Sequence, residues 1–228
     1  TWGMKAAVHL GRSEWKNAEE ALDKAIHLKP KHAGYHINRA LAKVNQQNLR
    51  GAMEDYDTAL DFEPNNFLGH YNRGLLRSQV GDDNRAIEDF DFVIKIEPDN
   101  MMALFNRAIL LQNTGDIRKA IADYTKVIEH YPDFWTGLHK RAECYRMLGM
   151  NKEAELDEVG VYKAQMDKRY GSVTKKRDNK TRKRSDDADM DKYNQLVVAD
   201  EQEFEHQYDN DYRGKVQNRR VSEEFMDM

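Results

Sequence analysis

One cysteine, Cys144, stands in 228 residues. A single thiol excludes a disulfide framework within the chain. It does not assign a compartment, because exported proteins also lack disulfides. No apolar run approaches the ~18 residues of a membrane helix. The sequence has no glycine-rich phosphate loop, no Cys/His cluster and no elbow serine, so catalysis finds no foothold in it. No cofactor or metal is expected. His32 and His36 lie four apart, but no third ligand lies near them in sequence. Charge of one sign is not in excess: the net charge is −4. Nothing global therefore argues for nucleic acid or a membrane surface as the partner. The hydrophobic share is 39%, with most of the deficit in the last sixty residues.

Proline is scarce, and its placement organises the chain. There are four: Pro30, Pro64, Pro98 and Pro132, each 34 residues after the last. A fixed period in this range marks a repeated supersecondary unit. The phrase Asn38-Arg39-Ala40 returns as Asn72-Arg73-Gly74 and Asn106-Arg107-Ala108, and in altered form as Lys140-Arg141-Ala142. In this register the chain divides into units at about 2–31 (incomplete), 31–65, 66–100, 101–133 and 134–168. Each unit reads as two helices. The first helices are expected at 34–46, 68–80, 102–113 and 136–147, and the second at 50–62, 84–96, 117–130 and 151–168. Gly81, Gly115 and Gly149 fall between the two, where a left-handed residue ends a helix at little cost. Each proline follows a second helix, which cannot continue through it.

Small residues follow the same period: Ala40, Gly74, Ala108 and Ala142 on the first helix, and Ala18, Ala52, Ala86, Ala120 and Ala154 on the second. They allow close approach of antiparallel helices. Leu22, Tyr56, Phe90 and Tyr124 supply large partners on one face of the second helix. These rows resemble the tetratricopeptide repeat family. One unit is Leu104-Phe105-Asn106-Arg107-Ala108, then Gly115-Asp116, Ala120-Ile121, Tyr124, Val127 and Pro132. The resemblance covers about 165 of the 228 residues. It implies an all-α fold: a right-handed α-α superhelix of about five helical hairpins with a concave groove. The end units depart from the pattern. Ser13 replaces the turn glycine in the first. Glu158 and Met166 stand where the fifth should carry an aromatic and a proline, so its last helix is expected to run on to about Tyr170.

The resemblance implies a protein–protein interaction scaffold that binds an extended peptide in the groove. The expected peptide-binding residues are the amide row Asn38, Asn72 and Asn106, with Tyr71 and Phe105 as anchors and Lys140 in the fourth place of the row. A row of amides offers donors and acceptors to a peptide backbone whatever its sequence. Ile37, Leu41, Leu68, Leu75, Met102 and Ile109 run beside it, either in the groove or in the core. The family's carboxylate clamp sets a lysine and an asparagine four apart on one helix; at the matching places, Ile37/Leu41, Tyr71/Leu75 and Phe105/Ile109, the lysine is missing. The arginine row is read instead as structural ion pairs: Arg39 with Asp55, Arg73 with Asp89, Arg107 with Asp123 and Arg141 with Asp157.

Beyond 168 the register ends. Lys168 to Arg184 carries nine bases and one acid, and Asp186 to Asp211 ten acids and one base. Such blocks read as a low-order charged tail, or as the start of a further domain. The basic run resembles a nuclear-import signal, Asn179-Lys180-Thr181 fits a glycosylation acceptor, and Asp209 to Gly214 begins like a calcium loop that fails at Arg213. Two apolar islands interrupt the tail, Leu196-Val197-Val198-Ala199 and Val221 to Met228. The chain opens at Thr1 within a helical pattern, which reads as a processed or truncated start; the compartment, cytoplasmic or exported, stays open. An alternative reading makes the array the docking module of a larger enzyme or regulator. Self-association through the array ends is a further option.

Overall fold

A computed structural model describes residues 1–170 of the chain, with side chains through 166. The basic run, the glycosylation triplet, the calcium-like loop and both apolar islands lie outside the described residues. Ten α-helices and no strand make up the described part: α1 (Trp2–Gly11), α2 (Trp15–Leu28), α3 (Ala33–Asn45), α4 (Leu49–Phe62), α5 (Phe67–Gln79), α6 (Asp83–Ile96), α7 (Met101–Thr114), α8 (Ile117–His130), α9 (Trp135–Met147) and α10 (Asn151–Tyr170). They form five hairpins, each a first and a second helix. The helix starts fall within a residue or so of those expected from the 34-residue period.

The described residues fall into two compact units, 1–69 and 70–170, with α5 running through the division. In the first unit α1 to α4 pack in chain order. In the second, α6 to α10 do the same, and α5 meets α6 through Tyr71 against Phe90, ring centroids 5.9 Å apart.

Local chemistry sets the helix ends. After Pro64 and Pro98, Asn66 and Asn100 accept the backbone N–H of Gly69 (2.8 Å) and Ala103 (2.9 Å). Each satisfies a donor that the first helical turn leaves unpaired. Their amide nitrogens donate back to Glu63 (2.8 Å) and Glu97 (2.9 Å), so the Glu-Pro-x-Asn phrase closes one helix and opens the next. Between the helices of a hairpin, Gly81, Gly115 and Gly149 have φ of +82°, +92° and +74°. Ser13 (+56°) and Gln47 (+63°) hold the same left-handed conformation with a side chain attached, which costs them about 1–2 kcal/mol.

The core follows the rows. Leu22, Tyr56, Phe90 and Tyr124 are completely buried, as are Ala18, Ala52, Ala86 and Ala120. The small stripe is a matter of space. A Cβ on Gly74 would lie 3.2 Å from the Asp89 Cβ and 3.3 Å from the Phe90 ring. Gly137 is tighter: a Cβ there would be 2.6 Å from the Phe134 ring, which is itself 2% exposed and has nowhere to go. Glu158, at the place of the missing aromatic, stays at the surface and pairs with Arg146. With Met166 in place of a proline, α10 continues for 20 residues.

Candidate functional site

The first helices of the second unit stand side by side, joined by polar contacts. Tyr71 of α5 is hydrogen-bonded to Asn106 of α7. Gln112 of α7 donates to Glu143 of α9 at 3.1 Å and accepts from the Tyr124 hydroxyl at 3.1 Å. Lys140 of α9 donates to Glu143 at 3.0 Å. Burial tends to raise the Glu143 carboxyl, but the Lys140 ammonium and Gln112 amide beside it bring it below the usual carboxylate range.

The asparagines lie deeper than an open ladder would require. Asn38 in the first unit is 5% exposed; Asn72 and Asn106 in the second are 0% and 6% exposed. Tyr71 and Phe105, expected in the groove, are core residues at 2% and 6% exposure. Phe105 meets Tyr124 of its own hairpin edge-on at 5.9 Å and Phe134 of the next unit at 5.0 Å. Its place on the helix points into the junction of two hairpins, where a large ring is worth most as packing. Ile37 and Leu41 are buried as well, whereas Leu75, Met102, Ile109 and Lys140 are partly exposed, Met102 and Ile109 with one side against the core. The open part of this face is thus apolar with one ammonium, over covered amides.

The arginine row forms bidentate pairs throughout. Arg39 donates to Asp55 at 2.9 and 2.6 Å, Arg73 to Asp89 at 3.1 and 2.7 Å, Arg107 to Asp123 at 2.8 Å twice, and Arg141 to Asp157 at 2.8 and 2.7 Å. The four carboxylates are 2–6% exposed. Arg39, Arg107 and Arg141 also reach the second helix of the preceding hairpin. Arg39 meets Asp23 at 2.7 Å, Arg107 meets Asp91 at 2.6 Å and Arg141 meets the Thr125 hydroxyl at 3.0 Å. Reading the sequence missed this third arm. Its signal was an acid or hydroxyl at 23, 91 and 125, one period apart or a multiple of it.

Some carboxylates gather more partners. Asp55 also takes Lys43 at 2.8 Å, and Asp89 takes Arg77 at 2.7 Å and His70 at 2.9 Å. Burial alone would raise the Asp55 carboxyl; His36, Arg39 and Lys43 outweigh it and hold it at about 2. Asp89 is lowered in the same way, against its burial, by His70 and Arg73. Burial disfavours the charge on Arg39 and Arg107, and their carboxylate bonds more than offset it, raising both pKa values. All this charge is matched within the fold, which suits register and rigidity more than recruitment of a ligand.

Among the described residues, two shallow cavities lie beside charged side chains. One of about 480 Å³ is lined in part by Arg107, Asp91, Asp123, Asp116 and Lys119. Its charges are already paired, Arg107 with both aspartates and Lys119 with Asp116. The other, about 470 Å³ in the first unit, lies beside Trp2, whose ring carries the Lys24 ammonium at 4.4 Å. Among the described residues no group of three or more His, Cys, Asp or Glu side chains could hold a metal ion. Burial pushes the Cys144 thiol up to about 11, which suppresses its thiolate chemistry. No helix among the described residues is long and apolar enough to cross a membrane.

The tetratricopeptide repeat family matches residues 4–67 and 102–134. No curated protein matches the chain. Solved structures do. A crystal structure of MamA is 16% identical, with 72% of this chain and 96% of that one covered, at a TM-score of 0.67. A second MamA structure is 16% identical, covers 75% and 94%, and reaches 0.68. YrrB, described as a TPR protein with an unusual peptide-binding site, is 17% identical, covers 73% and 86%, and reaches 0.68. At such identities the likeness is one of fold: the all-α solenoid of helical hairpins.

Proposed function

The chain belongs to the tetratricopeptide repeat family, and from that premise we propose that this protein-interaction scaffold binds an extended segment of a partner protein along the first helices of its second unit. The observation that carries the reading is the chemistry of that face. Leu75, Met102 and Ile109 are partly exposed on α5 and α7, and Lys140 stands on α9. Half-exposed apolar side chains on a rigid wall favour a peptide with hydrophobic anchors, and the ammonium favours an acidic group or a backbone carbonyl beside them. Asn72 and Asn106 stiffen the wall from beneath, and Asn38 takes the corresponding place in the first unit. The peptide-binding site of YrrB, on the same fold, supports the reading by analogy.

The test uses the full chain. Peptides selected from a random display library on the wild type are titrated against Leu75→Glu and Ile109→Glu. Both positions keep one side in solvent, and helical circular dichroism checks that each variant is folded before it is titrated. The expected result is at least a tenfold loss of affinity for the selected peptides, with Arg50→Glu on the exposed face of α4 as an unaffected control. Equal affinity of both variants and the parent would refute this face as the binding site.

A further inference from the structure

Charge around the arginine row balances at Arg39 and at Arg141 and does not balance at Arg107. Arg39 and Lys43 face Asp55 and Asp23, two cations to two acids: Asp55 lies 2.6 Å from Arg39 and 2.8 Å from Lys43, and Asp23 lies 2.7 Å from Arg39. Arg141 faces Asp157 and, in place of a second acid, the Thr125 hydroxyl at 3.0 Å, one cation to one acid. Arg107 serves two acids by itself, Asp123 at 2.8 Å and Asp91 at 2.6 Å. A second cation has a fixed place in this repeat, four residues after the arginine. Lys43 follows Arg39 there, and Arg77 follows Arg73 and stands 2.7 Å from Asp89. Four residues after Arg107 the chain carries Leu111. Asp123 thus lacks the second cation that Asp55 and Asp89 have.

That part of the fold is open. The cavity of about 480 Å³ lies between α6 and α8 and over α7, and Asp91, Arg107, Leu111 and Asp123 all line it. Its charged walls are three acids, Asp91, Asp116 and Asp123, against two bases, Arg107 and Lys119, which leaves one negative charge in excess. Asp116 and Lys119 pair with each other at 2.9 Å and cancel. The excess therefore rests on Asp91 and Asp123, either side of one guanidinium. Arg107 meets one oxygen of Asp91, whose side chain is 55% exposed, so the other oxygen can accept from an incoming donor. Ile87, Leu111 and Ala122 add an apolar wall. Excess acid beside apolar surface suits a cation carried on an alkyl stem. A bare metal ion fits less well, since no group of three ligating side chains stands here among the described residues.

We propose that this cavity receives a basic side chain, arginine or lysine, of a partner protein, with its stem on Ile87 and Leu111 and its charged head on Asp91. The incoming cation does for the Arg107 junction what Lys43 does for the Arg39 junction. The cavity shares no residue with the first-helix face of Leu75, Met102, Ile109 and Lys140, so it gives the scaffold a second, independent point of attachment.

Backbone amide NMR on the full chain tests this. The probe is a glycine pentapeptide with one central arginine, blocked at both ends, and its neutral control carries citrulline instead. The arginine peptide should shift residues 87–91 and 107–123 saturably, with a dissociation constant of about 1–10 mM, as befits one partly screened ion pair. Asp91→Asn should weaken binding about fivefold or more, and the side chain is exposed enough for the variant to stay folded. Leu111→Lys, which restores the cation of the earlier hairpins, should also remove binding, once circular dichroism has shown that it folds. No saturable shift at about 50 mM peptide overturns the proposal. So does equal binding of the citrulline peptide, or parental affinity in Asp91→Asn or in folded Leu111→Lys.

Discussion

Replacing Arg107 with alanine is the most direct test of what the arginine row does. The guanidinium holds Asp123 through two bonds of 2.8 Å, and the Asp123 side chain is 7% exposed. Alanine leaves that carboxylate in the interior with its counterion gone. Breaking a buried pair from one side costs about 3–5 kcal/mol, because the stranded charge has lost both water and its partner. At about 2–4 °C per kcal/mol for a chain of this size, melting falls by roughly 6–20 °C. The third arm serves as internal control. Asp91, 2.6 Å from Arg107, has a side chain 55% exposed, so water screens the pair. Asp91→Asn therefore costs less than about 1 kcal/mol. The double variant Arg107→Met with Asp123→Leu removes both charges together and recovers most of the loss of the single change. Urea titration followed by helical circular dichroism reads all three. Peptide affinity of Arg107→Ala, measured below its melting range, stays at the parent value. Arg107→Ala and Asp91→Asn costing the same would refute the reasoning, and so would a loss of affinity without a loss of stability.

Two further outcomes follow from single positions. The Asp55 carboxyl is held at about 2, below its ordinary 3.8. A group lowered by folding stabilises the native state above its unfolded pKa and loses that contribution as pH falls through the folded one. About 2 kcal/mol should thus disappear between pH 4 and 2, and Asp55→Asn should flatten the urea midpoint across that window; an unchanged slope would exclude Asp55 as its source. Gln47 carries a side chain at φ +63°, where the equivalent turns use glycine. Gln47→Gly should raise stability by up to about 1 kcal/mol, and a lower urea midpoint would show that the left-handed strain is relieved in some other way.

Much of this was legible from spacing. Four prolines, three turn glycines and the alanine rows located the helices, because each acts through its own backbone or through contacts inside one repeat. The pairing of arginine with aspartate sixteen residues on could be read because both recur together. The arginine's second partner was visible in the same columns and was missed, since a residue at 23, 91 or 125 looks like ordinary surface charge until the next hairpin is set against it. Tyr71 and Phe105 were misjudged for a related reason. The side of a helix on which a side chain lies follows from sequence, but whether a neighbouring hairpin covers that side does not.

The sequence by itself determined the hairpins, their period and the family. Those follow from local dihedral preferences and from a small-against-large pattern that repeats whatever the surroundings. Tertiary structure alone decided the burial of the asparagine row and of Tyr71 and Phe105. Each depends on how closely one hairpin lies against the next, a distance set by the whole packed set of side chains at the junction and by no single position in it.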